Sequence, residues 1–138
     1  MAGLIIFGLC SPRVEAMKQR ALYERTLQMM KAIDGRVMES RRRNGFYPPT
    51  ASMQKLAATL DPSLPITDAW GNVFTYRIHG SSYVLASPAS DGVWDHPSIE
   101  TEAADGHRWY DADIVVRNSL VVHGRYAGVD LRQFRMRD

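Results

Sequence analysis

A chain of 138 residues, 45% of them hydrophobic, suits one domain with one modest core. Seventeen basic residues against fifteen acidic ones leave a net charge of +2, which excludes nucleic-acid binding driven by bulk electrostatics. A single cysteine, Cys10, excludes an internal disulfide and says nothing about redox compartment.

The charge is unevenly spread. Residues 13–43 carry nine basic and four acidic side chains, whereas residues 88–113 carry seven acidic and one basic. The first nine-residue apolar run, Ala2–Cys10, is followed by Ser11-Pro12. It is too short to span a bilayer, which takes about 20 residues, and it lacks the basic flank of a signal peptide. Leu9 also stands where a lipoprotein signal would need a small residue before Cys10. Three readings stay open: the buried end of a core helix, an interfacial segment, or the tail of a membrane helix. The last is the expectation, with Leu4, Ile5, Ile6, Phe7, Leu9 and Pro12 forming the part that meets lipid or partner.

From Arg13 to about Arg43 no proline interrupts, and Leu22, Met29, Ile33 and Val37 recur with Thr26 filling the gap. That spacing predicts one long helix with this set as its apolar face. Asn44-Gly45 offers a left-handed cap, and Phe46-Tyr47-Pro48-Pro49 bars continuation. The basic residues between Lys18 and Arg43 are either a solvated face or a contact for anionic lipid or an acidic neighbour, and Met29, Met30 and Met38 read as core filler. A second helix is predicted over about 51–60, with Thr50 or Ser52 as N-cap and Met53, Leu56 and Leu60 on one face.

Asp68-Ala69-Trp70-Gly71-Asn72 combines an aromatic anchor with a turn, and Phe74, Tyr76 and Ile78 then alternate with Thr75 and Arg77. A strand over 73–78, a turn at 79–82 and a strand over 83–87 make one hairpin, with Trp70 buried between helix and sheet. Residues 114–117 and 120–123 around Asn118-Ser119 make a second. The tail from Gly124 carries four arginines, with Tyr126, Leu131 and Phe134 as docking side chains and no definite secondary structure.

Between the hairpins lie 26 residues, 88–113, without periodicity, a length usual for functional or disordered loops. Asp91-Gly92, Asp95, Asp105-Gly106 and Asp111-Ala112-Asp113 crowd carboxylates that repel unless a cation or water separates them. Calcium takes six to eight oxygens, and an Asp-x-Asp pair sets Asp111 and Asp113 on one side of an extended segment. A solvated acidic loop is the alternative, because no EF-hand spacing is present.

In order, the chain has an apolar run ending in Pro12, a long helix, Asn-Gly-Phe-Tyr-Pro-Pro (44–49), a short helix, Asp-Ala-Trp-Gly-Asn (68–72), a hairpin, Ser90-Asp91-Gly92 and Asp111-Ala112-Asp113-Ile114. This order resembles the major pseudopilin of type II secretion systems and, more broadly, type IV pilin-like proteins, over residues 4–117. Ala69 and Val73 stand where that family usually has proline. The resemblance implies an α+β fold with a long N-terminal helix on a small antiparallel sheet and a long acidic loop between two hairpins. One pilin-like domain would divide into helix (1–44), globular head (45–123) and basic tail (124–138).

It further implies that Tyr47 and Pro48 close the helix and that Trp70, Gly71 and Asn72 form the motif opening the sheet. Asp91, Asp111 and Asp113 would contribute Ca²⁺ ligands, with a carbonyl from Ala86 or Ser87 able to join them; Asp95 is added from this sequence alone. Function would be that of a non-catalytic subunit of a pseudopilus or pilus-like filament, or alternatively an accessory subunit anchored by its helix to another membrane complex. Its partners would be other pilin or pseudopilin subunits and inner-membrane lipid, without nucleic acid or small-molecule substrate. The head would lie in the periplasm of a bacterial envelope or in an extracellular filament.

Pro12 matches the family's helix proline, which places Met1 about ten residues inside the mature helix and leaves out the cleavage motif and the glutamate of the family's methylated N-terminus. No catalytic role is expected. His79, His96, His107 and His123 make no His-x-x-x-His or His-Glu-x-x-His pair, and neither a phosphate loop nor a nucleophile elbow is spelled out.

Overall fold

A computed structural model describes residues 12–50, 52–89, 113–124 and 126–136. Helix α1 runs Pro12–Asn44, 33 residues or about 50 Å at the α-helical rise. The helix stops as its spelling predicts: Gly45 takes a φ of +86° and donates its N–H to the Arg41 carbonyl at 2.7 Å. Helix α2, Met53–Leu60, begins at Ser52, whose side chain accepts from the Lys55 N–H, and buries Met53, Leu56 and Ala57.

Strands β1 (Thr75–His79), β2 (Ser82–Ser87), β3 (Ile114–Arg117) and β4 (Leu120–His123) form an antiparallel meander in the order β1-β2-β3-β4. Asn118 and Ser119 both adopt positive φ, 48° and 77°, as a tight hairpin turn between right-twisted strands demands. The Asn118 side chain also reaches β2, accepting from the Tyr83 N–H at 3.1 Å. The architecture is α+β, a long N-terminal helix with a four-stranded antiparallel sheet.

One buried cluster joins Tyr23, Leu27, Met30, Ile33 and Val37 of α1 with Leu56 of α2 and with Tyr76, Tyr83, Leu85, Ile114, Val116 and Val121 of the sheet. Alternation puts Val84, Ala86 and Val115 on the opposite face, where they form a second, smaller buried cluster. The tail docks. Tyr126, Val129, Leu131 and Phe134 pack on the core; the Lys31 ammonium donates to the Phe134 carbonyl at 2.7 Å, and the Tyr126 hydroxyl to Glu24 at 2.6 Å. Backbone bonds from Val121 to Val129 and from Leu131 to Ser119, with a bridge between Leu120 and Asp130, lay this segment along the outer side of β4.

Three expectations are corrected. The buried stripe of α1 is turned from the predicted one. Tyr23, Leu27 and Met30 are fully buried, whereas Leu22 and Met29 are only half-buried. Thr26, Ile33 and Val37 are buried as expected, but the stripe also contains Asp34 and Ser40, polar residues that hydropathy assigns to solvent but that find partners here. Strand β1 starts at Thr75 rather than Val73, because Val73 bridges back to Thr67 and Phe74 donates to the Ile66 carbonyl, which leaves Val73 exposed. Trp70 is half-buried rather than enclosed between helix and sheet. It meets Tyr23 edge to face at 6.2 Å and donates its indole N–H to Gln19 at 2.9 Å, so its polar edge stays near the surface.

Candidate functional site

The turn from Asp68 to Asn72 is the junction where α1, the start of the sheet and the end of β2 meet. Aspartate favours such turns because its short carboxylate reaches backbone N–H groups two and four residues on. The Oδ1 of Asp68 accepts from Trp70 N–H at 3.0 Å and from Asn72 N–H at 2.8 Å, while Oδ2 accepts from the Ser87 hydroxyl at 2.6 Å. Gly71, with a φ of +92°, donates to the Asp68 carbonyl, and Asp68 donates to the Asn72 carbonyl. Asp68 is 3% exposed, so three donors compensate a carboxylate withdrawn from water.

Two further bonds lock this turn to its neighbours. Ala69 N–H donates to the Thr26 hydroxyl on α1 at 3.1 Å, and the Asn72 amide donates to the Ala89 carbonyl at 3.0 Å. Ser87 accepts from Ala89 N–H at 3.0 Å, and its Cα pairs with Ile114 across the β2–β3 register. Asp113, buried and immediately before β3, therefore lies beside this junction. Of the proposed Ca²⁺ ligands, Ser87 and Asp113 are described: Ser87 ends β2 with its hydroxyl on Asp68, and Asp113 is buried just before β3. Asp91, Asp95 and Asp111 lie outside the described residues, as do Leu4, Ile5, Ile6, Phe7 and Leu9 of the apolar run. Among the described residues no group of three potential metal ligands occurs, and no helix is long and apolar enough to cross a membrane.

At the other end of the head, Tyr47 is buried and packs edge to face on Tyr83 at 5.2 Å, while the Pro48 carbonyl accepts from the Tyr76 hydroxyl at 3.0 Å. Burial raises the Tyr76 phenol well above its usual range, so it remains a donor. The helix-closing motif thus fastens the end of α1 to the sheet, as the Asp68 turn fastens the middle.

A second buried carboxylate, Asp34 on α1, was not singled out by motif or spacing. It accepts from the Tyr83 hydroxyl, and its Oδ1 and Oδ2 both face Ser119 Oγ, at 2.9 and 3.0 Å, joining α1 to β2 and to the β3–β4 turn. Burial pushes its pKa above the ordinary carboxylate value, against the opposing pull of those two donors and of Arg132. Burial, and then the adjacent Asp34, push Tyr83 upward as well, so its hydroxyl stays protonated. The sequence signal for this site is an aspartate between Ile33 and Val37 of the predicted apolar face.

Along α1 burial begins at Tyr23. The turns before it carry Val14 and Met17 at 54% and 66% exposure, while Gln19 accepts from the Trp70 indole N–H. Comparison of the chain with family models, with curated proteins and with solved structures finds no match.

Proposed function

We propose that this chain is a non-catalytic structural subunit of a pseudopilus or type IV pilus-like assembly, held to its neighbours by α1. The observation that carries this reading is the helix itself: it is buried in the core from Tyr23 onward, while its first turns carry Val14 and Met17 with more than half of their surface exposed. Exposed apolar side chains on a helix suit contact with lipid or with a like helix. The two motifs behind the resemblance support it further, since Asn44-Gly45 to Pro48 and Asp68 to Asn72 serve as the fastenings between helix and head.

The same reading includes one structural Ca²⁺ held by the loop before β3. Its support is the burial of Asp113 immediately before Ile114, which pairs with Ser87, so that a cation held there would tie the loop to the sheet. Light scattering of the full chain, with and without lipid vesicles, combined with hydrogen exchange, tests the assembly role. Residues 12–20 should gain protection only on association with lipid or other subunits. A monodisperse monomer that protects them without either would overturn the reading.

A further inference from the structure

The sheet's two edges are treated differently. The outer side of β4 is covered by the tail through the Val121, Gly128 and Leu131 backbone bonds, whereas β1 has no strand beyond it among the described residues. The turn joining β1 to β2 has two residues, Gly80 and Ser81, and its closing pair is His79 with Ser82. A two-residue hairpin closes on a hydrogen-bonded pair, and pairs then alternate, so the N–H and C=O of Ile78 point away from β2. Among the described residues no hydrogen bond reaches them. Such an edge is usually blunted by proline, a bulge or charged side chains; β1 has neither proline nor bulge, and it carries the exposed Arg77.

Beside this edge is a concave surface in two adjoining parts of about 410 and 610 Å³, which share Pro49 and Ile78. Phe46, Tyr47 and Ile78 supply apolar walls, and Phe46 and Ile78 are 57% and 41% exposed. Arg41 lines one part, its guanidinium 4.9 Å above the Tyr47 ring, and Arg77 lines the other. Neither guanidinium has a carboxylate partner among the described residues.

We propose that β1 is a docking strand for an extended acidic segment of a partner protein. The segment pairs with the outward backbone groups of Ile78, sets an apolar side chain against Phe46 and Tyr47, and lays carboxylates against Arg41 and Arg77. Strand addition supplies backbone hydrogen bonds without sequence preference, so selection falls to the pocket and the two cations. An acidic occupant follows from the charge of the rim, since a basic segment would be repelled by the same two side chains. This inference is independent of the filament role, because it concerns the end of the head away from the first turns of α1.

The test uses the full chain and a fluorescein-labelled synthetic peptide, Glu-Val-Glu-Leu-Glu-Val, with its lysine-for-glutamate counterpart, read by anisotropy at low and high salt. The glutamate peptide should bind saturably, at least about tenfold tighter than the lysine peptide, and weaken as salt rises. Arg77→Glu should weaken it by about tenfold without changing the melting temperature, since Arg77 is exposed. Ile78→Pro, which deletes the outward N–H, should abolish binding; if that variant does not fold, the Arg77→Glu and Arg41→Glu results decide alone. Equal binding of both peptides, no saturation up to about 1 mM, or unchanged affinity in both arginine variants would overturn the proposal. Self-association of the chain that is lost in Arg77→Glu would assign the edge to a second copy and would overturn it too.

Discussion

Replacing Asp68 by alanine removes the acceptor of three hydrogen bonds at once: from Trp70 N–H, Asn72 N–H and the Ser87 hydroxyl. Each such bond contributes about 1–1.5 kcal/mol net, and the donors left behind are largely shielded from water, so Asp68→Ala should cost about 3–4 kcal/mol. For a domain of this size that corresponds to a fall of about 10 °C in melting temperature. Asp68→Asn keeps an oxygen for the two backbone donors and turns an amide toward Ser87, whose hydroxyl can accept instead; it should cost about 1 kcal/mol. The assay is urea unfolding of parent, Asp68→Ala, Asp68→Asn, Ser87→Ala and the Asp68→Ala/Ser87→Ala pair. The cycle should give a coupling of about 1–2 kcal/mol between the two side chains. If Asp68→Ala unfolds within 1 kcal/mol of the parent, or if asparagine is as damaging as alanine, the turn is not what joins α1 to the sheet.

Two other outcomes are expected. Because the folded-state pKa of Asp34 is raised above its ordinary 3.8, the native state holds that proton more tightly than the unfolded chain. Its contribution is therefore most favourable below that value and is lost as pH rises through the raised pKa. Asp34→Asn should remove this component, so the stability difference between variant and parent should shift toward the variant as pH rises from about 4; a difference that does not vary with pH refutes the assignment to Asp34 facing Tyr83, Ser119, Arg132 and Asp130. For the Ca²⁺ reading, millimolar calcium over a micromolar site would stabilise the parent by about 4 kcal/mol relative to EGTA, with magnesium a poor substitute and Asp113→Asn losing the effect. A parent whose melting is the same in EGTA and calcium would count against the site.

Sequence alone determined several element boundaries, because those decisions are local, though not the start of β1. Gly45, Ser52 and the Asn118-Ser119 pair act through backbone dihedrals and hydrogen bonds within a few residues, and each stands at the boundary its chemistry predicts. The alternation of Phe74, Tyr76 and Ile78 and the turns at 79–82 and Asn118-Ser119 likewise indicated the two hairpins. What tertiary structure alone decided was which polar groups go inside. Asp34 is buried because Tyr83 and Ser119, 49 and 85 residues away, meet it there, and Asp68 because Ser87 closes over it from 19 residues on. No pattern along α1 announces those partners, so its buried stripe was displaced in the reading of the sequence by the polar residues it contains. The tail and Trp70 followed the same rule. Their side chains were visibly suited to docking, but how far each is covered depends on the surface that folding brings against it, which is a property of the assembled core rather than of any segment.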